Sequence, residues 1–181
     1  MKQKYIDYYM DVAERTGKLS HAIRRQVGAV IVKDNRILSY GYNGMPTGWD
    51  NECEYKDYMS ADAGGWLNPD EIFIRWPLKE EVTKVTESGE EYKYNARYRL
   101  VTKDEVLHAE MNCLMKVAQG TESSQNATLF TTDAPCIHCA KAIYQAGVSE
   151  VVYKKVYRTD EGLLFLEKCG VKLTKLIEDD K

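Results

Sequence analysis

Four side chains in this sequence of 181 residues are spaced so that they could do chemistry together: His108 and Glu110 in His-Ala-Glu, and Cys136 and Cys139 in Pro-Cys-Ile-His-Cys. One imidazole and two thiolates form a borderline-soft donor set that suits Zn²⁺. Three protein ligands leave a fourth position for water, which is the count of a catalytic zinc; a structural zinc closes all four with protein. Glu110 follows the histidine by two residues. Near the start of a helix its carboxylate can point beside the metal without ligating it, which is where a proton shuttle belongs. Zinc brings the pKa of water towards neutrality, so the set is equipped for hydrolysis.

These residues need elements to position them. Tyr5, Ile6, Tyr9, Met10 and Ala13 recur at helical spacing over residues 2–16, and Gly17 offers a left-handed stop. Val27 to Val32 and Arg36 to Tyr42 read as two strands joined by a tight Asp34-Asn35 turn. The loop Gly41 to Gly48, with three glycines and a proline, can bring backbone close to a ligand, and it follows a strand directly. In residues 53–107 acidic side chains outnumber basic ones and apolar patterning fades, as expected of an insertion; within it Val82 to Thr86 and Tyr92 to Tyr94 flank Ser88-Gly89 as a hairpin. From Lys103 to Gly120 the pattern is helical, placing His108 and Glu110 on a helix. A buried strand at 127–132 leads to a helix from Cys136 to Ala146, stopped by Gly147. A strand at 150–153, a helix at 160–168 and a strand at 171–176 follow, before the acidic residues Glu178 to Asp180. Five strands with helices between them predict an α/β fold, a three-layer α/β/α sandwich around a central five-stranded mixed sheet.

With 44% hydrophobic residues and no Pro/Gly/Ser-rich linker, residues 1–181 are expected to form a single domain that carries an insertion at about 53–107. A net charge of −3 is the wrong sign for a surface that must neutralise many phosphates, so a small substrate is favoured over a polynucleotide. Five cysteines are an odd number, two of them already claimed by the metal motif, and a disulfide framework is not expected. No uninterrupted apolar run suggests a signal peptide or membrane span, so a soluble cytoplasmic protein without a membrane partner is expected.

The pair H-x-E and P-C-x-x-C, in that order, is the signature of zinc-dependent nucleobase deaminases. Through it the chain resembles the cytidine deaminase superfamily. Through VGAVIV at 27–32, GYNGMPTG at 41–48, the insertion before His108 and VYKKVY at 152–157 it is similar more narrowly to the deoxycytidylate deaminases, in the variant carried by tailed phages. That resemblance implies the cytidine deaminase-like fold and hydrolysis of dCMP to dUMP and ammonia, feeding thymidylate synthesis, in the host cytoplasm for a phage-encoded chain. It implies a homohexamer activated by dCTP and inhibited by dTTP, with Mg²⁺ accompanying the triphosphate. Carried over, His108, Cys136 and Cys139 hold zinc and Glu110 moves protons to and from the base. Asn43 contacts sugar or phosphate, the backbone of Ala109 reads the base, and Tyr157, Arg24 and Gln26 lie on the phosphate side. Met45, Pro46, Thr47 and Gly48 would bind the triphosphate.

Some positions depart from the family pattern. Ala134 stands where relatives often have serine at this edge of the substrate site, and Lys116 and Gln119 stand where an arginine is expected. Some phage relatives hold a second, structural zinc; this chain offers only His21 and Cys53 for one, so His21 is expected at the surface or on the phosphate side and Cys53 as a packed thiol. Cys113 and Cys169 are expected in the core, and His138 turned away from the metal. Two other readings share the zinc motif: a deaminase of bases in RNA or single-stranded DNA, which needs an electropositive path for the strand, and a zinc-stabilised binding module without catalysis.

Overall fold

The computed structural model describes residues 1–60, 69–156 and 159–176. Among these the elements run α1 (Gln3–Gly17), β1 (Gly28–Lys33), β2 (Arg36–Tyr42), β3 (Glu54–Tyr58), α2 (Pro69–Arg75), β4 (Leu78–Val85), β5 (Glu91–Thr102), α3 (Ala109–Ala118), β6 (Thr128–Asp133), α4 (Ile137–Gln145), β7 (Glu150–Lys155), α5 (Glu161–Lys168) and β8 (Lys172–Lys175). They fall into two compact units, one formed by Met1–Cys53 with Glu105–Lys181 and the other by Glu54–Asp104.

The larger unit is built on a mixed sheet in the order β2-β1-β6-β7-β8. β1 runs antiparallel to β2 and β6, whereas β6, β7 and β8 are parallel. Strand alternation divides its side chains between two cores. Val30, Val32, Phe130 and Val152 meet Tyr9, Met10 and Ala13 of α1 on one face. Ala29, Ile31, Leu129 and Val151 meet Cys113, Leu114, Ala140, Ile143 and Leu166 of α3, α4 and α5 on the other. Because both faces are covered, β1 (GAVIVK) reads as a nearly continuous apolar run, while β6 (TLFTTD) is buried over most of its length with threonines among its apolar residues. The result is the expected α/β/α sandwich. Asp34 and Asn35 both take positive φ, 49° and 59°, the turn that matches the twist of a two-residue hairpin.

Two expected boundaries differ. Gly17 does not stop α1 in a left-handed conformation; Lys18 caps the helix at φ −67°. Gly17 serves close packing instead, since a Cβ there would lie 3.0 Å from the Gly28 nitrogen. The second helix of this unit starts at Ala109 and not at Lys103, because Leu107 exchanges both backbone hydrogen bonds with Gly44, at 2.9 and 3.1 Å, in an isolated antiparallel bridge. A residue so engaged has neither its N–H nor its C=O available for a helix.

The Glu54–Asp104 unit is an antiparallel sheet in the order β3-β5-β4, with its hairpin turning at Gly89, φ 86°. Ala96 is its buried apolar side chain among the described residues. Polar and aromatic contacts take the place of a core: Lys56 and Tyr58 both bond Glu80, and the Arg97 and Arg99 guanidiniums lie over Phe73 and Trp76. Among the described residues no helix is long and apolar enough to cross a membrane.

α3 lies unusually close to β2 because the strand has no side chain at Gly41, where an added Cβ would sit 2.4 Å from the Ala109 carbonyl oxygen and 2.6 Å from the Cys113 nitrogen. Backbone on both sides cannot yield without moving the helix. Gly41→Ala should therefore cost about 1–3 kcal/mol by overpacking and lower the thermal midpoint by roughly 2–12 °C. Thermal unfolding followed by circular dichroism checks this, and an unchanged midpoint would contradict so close an approach.

Candidate active site

The sequence places His108 and Glu110 together on a helix; the fold separates their roles. His108 is the extended residue that precedes α3, at φ −73° and ψ 150°, while Glu110 lies in the first helical turn. Cys136 likewise precedes α4 in extended conformation, and Cys139 lies in that helix's first turn. The two helix N-termini meet. His108 Nδ1 lies 3.5 Å from Cys136 Sγ and 3.4 Å from Cys139 Sγ, and all three ligand atoms are within 4.8 Å of one another. With zinc bonds of about 2.0–2.1 Å to nitrogen and about 2.3 Å to sulfur, a tetrahedral edge between N and S is roughly 3.6 Å. Side chains already held at that separation fit a zinc ion with almost no rearrangement.

The proton inventory suits the same ion. The hydrogen bond from Cys139, aided by His108, pushes the Cys136 thiol down to about 3. Donating that bond, and burial besides, push Cys139 up. One thiolate and one thiol thus share a proton that a divalent metal would displace. The bond to Cys136 raises His108. Exposed N–H groups and the positive helix ends favour the thiolates further.

Glu110 is 4% exposed. Burial pushes its carboxyl up to about 7, against the opposing effects of a backbone hydrogen bond and the His108 charge. A nearby divalent ion would pull it lower again. A carboxyl that can gain or lose a proton near neutral pH is what acid–base catalysis needs.

Two supports were not legible in the sequence. Gly162 of α5 lies against the cysteine loop, where a Cβ would sit 2.0 Å from the Pro135 carbonyl oxygen and 3.0 Å from that of Cys136. The loop is thus backed by a helix that only glycine allows so close, and an isolated glycine within a helical pattern was its one signal. Arg25 and Asp133 are the other omission. Arg25 Nε lies 3.0 Å from Asp133 Oδ2, in charge contact but off the line of a hydrogen bond, since that oxygen has no hydrogen-bond partner. The positions are 108 apart in sequence, and no local pattern joins them.

The residues expected around the substrate are placed variously. Asn43 is engaged with the chain itself: Val27 N–H donates to its Oδ1 and its Nδ2 donates to the Arg25 carbonyl, both at 2.8 Å, while Ser20 Oγ donates to its carbonyl at 2.7 Å. Gln26 Nε2 donates to the Ser20 carbonyl at 2.8 Å, and Arg24 is exposed. Ala109 and Ala134 are buried and can offer a ligand only backbone. The Ala134 N–H is bonded to the Lys155 carbonyl at 2.7 Å. Tyr157 lies outside the described residues. Met45 packs on Ala22, Cys53 and Val106, Pro46 accepts the Trp49 N–H at 3.1 Å, and Thr47 and Gly48 are exposed, Gly48 at φ 93°.

Cys53 and Cys113 are buried, Cys169 packs beside the core, and His21 and His138 are exposed. Among the described residues His108, Cys136 and Cys139 form the one group of three such ligands. Lys116 donates to the Tyr40 carbonyl at 3.0 Å and lies over its ring.

Comparison with known proteins agrees with this geometry. The family model for the cytidine and deoxycytidylate deaminase zinc-binding region matches residues 3–155. Deoxycytidylate deaminase of Enterobacteria phage T4 is 34% identical over 153 residues, which is 82% of this chain and 76% of that protein. The Homo sapiens deoxycytidylate deaminase is 29% identical over 177 residues, 94% of this chain and 79% of that one. The dCMP deaminase of cyanophage S-TIM5, solved in complex with dCMP and dUMP, superposes with a TM-score of 0.70 at 33% identity, covering 97% of this chain and 99% of that one. Fold, metal-binding geometry and relatives agree, and the chain belongs to the cytidine and deoxycytidylate deaminase family, on its zinc-dependent, phage-like deoxycytidylate deaminase branch.

Proposed function

We propose that this chain hydrolyses dCMP to dUMP and ammonia, with His108, Cys136 and Cys139 as its zinc ligands and Glu110 as its proton carrier. The observation that carries the reading is the His108 nitrogen within 3.5 Å of both sulfurs, two residues from a buried carboxyl. A zinc ion held there would supply the Lewis acidity that makes water nucleophilic near neutral pH. Glu110 takes the proton of the water that attacks C4 and delivers it to N3. It then passes a second proton to the amine, so that the C4–N4 bond breaks as the C4 carbonyl forms and ammonia leaves. Backbone at Ala109 and Ala134 edges the base, while Asn43, Arg24, Gln26 and Tyr157 belong to the sugar and phosphate side. For Asn43 the bonds to Arg25 and Val27 favour shaping that side over direct contact.

The product suits thymidylate synthesis in the cytoplasm, that of the host for a phage-encoded chain. We read residues 1–181 as one deaminase domain with Glu54–Asp104 as its insertion. A homohexamer is the assembly, with dCTP as activator, dTTP as inhibitor, and Mg²⁺ beside the triphosphate at Met45 to Gly48. An effector shifts an equilibrium only by its differential affinity for two states, so dCTP must favour the competent hexamer and dTTP the other.

Glu110→Gln should keep zinc content and fold while ammonia release falls by at least about 10²–10⁴-fold. The same assay should find the parent far more active on dCMP than on cytidine, an RNA hairpin or single-stranded DNA. A polynucleotide preference would replace this reading with a nucleic-acid deaminase, and a parent inactive on all four would leave a zinc-stabilised binding module. Elemental analysis after dialysis should give one zinc per chain. Cys136→Ala should lose the metal and the activity together, whereas Cys53→Ala keeps the metal, and two zincs per parent chain would contradict the single site. Sigmoidal dCMP kinetics should become hyperbolic with dCTP and more sigmoidal with dTTP; identical hyperbolic curves from a hexamer would remove the regulatory part of the proposal.

A further inference from the structure

We propose that Gly162 is a positioning residue for the metal site: the first turn of α5 bears on the backbone of Pro135 and Cys136 and sets where the Cys136 sulfur stands, so that zinc retention and turnover depend on a helix that carries no ligand. This deepens the zinc reading proposed above and rests on it. Of the two cysteines Cys136 is the less fixed by α4. Cys139 is buried within the first turn of that helix, whereas Cys136 precedes the turn in extended backbone, with its carbonyl accepting the Ala140 N–H at 2.8 Å. Upstream, Pro135 is fully buried and has no N–H with which to anchor itself.

At this point α5 arrives without a side chain. A Cβ on Gly162 would stand 2.0 Å from the Pro135 carbonyl oxygen, 2.9 Å from the Cys136 carbonyl carbon and 3.0 Å from its oxygen. These atoms belong to the carbonyl groups on either side of the Cys136 Cα. Helix propensity ranks alanine above glycine, so a glycine here answers to the contact and not to the helix. Carbon and carbonyl oxygen settle at about 3.3 Å, so an added methyl would demand a shift of roughly 1 Å.

The helix is seated so that the loop must take up that shift. Leu166, one turn on from Gly162, is fully buried in the core that holds Ala140 and Ile143 of α4. The Phe165 ring meets Tyr144 of α4 edge-on, with centroids 6.1 Å apart. Beyond the helix the Val171 N–H returns to the Leu166 carbonyl at 3.0 Å, and β8 pairs with β7. On the other side, Cys136 Sγ has to keep its 3.5 Å separation from His108 Nδ1 for both to reach one ion.

Gly162→Ala should raise the zinc dissociation constant about 10–100-fold, the usual effect of disturbing what orients a ligand. A chromophoric chelator competing with the zinc-loaded protein reads this. The visible spectrum of the cobalt-loaded protein should change as well. At saturating zinc kcat for dCMP should fall, by as much as about 10²-fold for a misplacement of this size, with KM kept. Met10→Ala, which opens a cavity among the α1 contacts on the opposite face of the sheet, serves as the comparison: it should lower the thermal midpoint and leave zinc affinity and the cobalt spectrum as in the parent. Where Gly162→Ala folds only with zinc, the concentration that half restores its circular dichroism gives the same answer, since metal binding and folding are then linked. Unchanged zinc affinity in Gly162→Ala, whatever its thermal midpoint, overturns the proposal. So does an equal loss of affinity in Met10→Ala, or a Gly162→Ala chain that stays unfolded at saturating zinc, which would make the glycine a requirement of the fold. A parent that holds no zinc would instead bring down the zinc reading itself, and this proposal with it.

Discussion

The meeting of two helix N-termini is the constraint on which the rest of the site depends. α4 leaves the end of β6 through Asp133, Ala134 and Pro135, so the cysteine pair is fixed by the middle strand of the sheet. α3 has no such strand before it. It is brought into place by packing on β2 and β1, tightened at Gly41 and tied by Asn112 Nδ2 to the Tyr42 carbonyl at 2.8 Å and Ser39 Oγ to the Cys113 carbonyl at 2.9 Å. The neighbour relation of β1 and β6 then sets the distance between His108 and the cysteines. An antiparallel hairpin joined to parallel crossovers thus brings two helix beginnings to one place. Each brings orphan N–H groups and a positive dipole end to a cluster that must carry negative sulfur.

Concentrating four titratable groups there has an electrostatic cost that the chain distributes. Without a cation, Cys136 and Cys139 cannot both ionise, and Glu110, desolvated beside them, holds its proton until near neutrality. A divalent ion held by His108, Cys136 and Cys139 would reverse that balance, favouring both sulfurs as thiolates and Glu110 in the ionised form that can accept a proton. The cluster is therefore least comfortable without its metal. The packing of Ala140, Ile143 and Leu166 behind it holds the ligands in place regardless.

Local chemistry was legible in the sequence where one short segment carried the whole signal. His-Ala-Glu and Pro-Cys-Ile-His-Cys name the three metal-capable side chains that the fold brings together and the buried carboxyl near them, Asp34-Asn35 names its turn, and Gly147, at φ 75°, ends α4 as its residue type suggests. The start of α3 was misread because Val106 and Leu107 continue an apolar spacing that helices share. What pulls Leu107 out of the helix is a bridge to Gly44, 63 positions away, which no window contains. Separation in sequence likewise hides Asp133 from Arg25 and Gly162 from Pro135. Asn43 shows a subtler limit: residue type marks it as a polar group near the site, but its bonds to Val27 and Arg25 depend on where the segment before β1 lies.

The chain passes between its two units at a small apolar cluster of the larger one. The chain leaves the larger unit after Cys53 and returns at Glu105, and Cys53 and Val106 pack on each other together with Ala22 and Met45. This small cluster forms the neck at which the chain leaves and re-enters the larger unit. It also explains why a cysteine with no part in the metal site is 1% exposed. Through Ala22 the neck joins the segment that Ser20 and Asn43 hold, with Ser20 Oγ accepting the Ala22 N–H at 3.1 Å. Through Met45 it joins the loop that follows Asn43. The unit beyond the neck keeps its strands in register by cross-strand charge and aromatic pairs, such as Lys93 with Glu81 at 2.8 Å and Tyr58 with Tyr98. Such contacts need little apolar residue, so the stretch reads as polar sequence and still forms three strands.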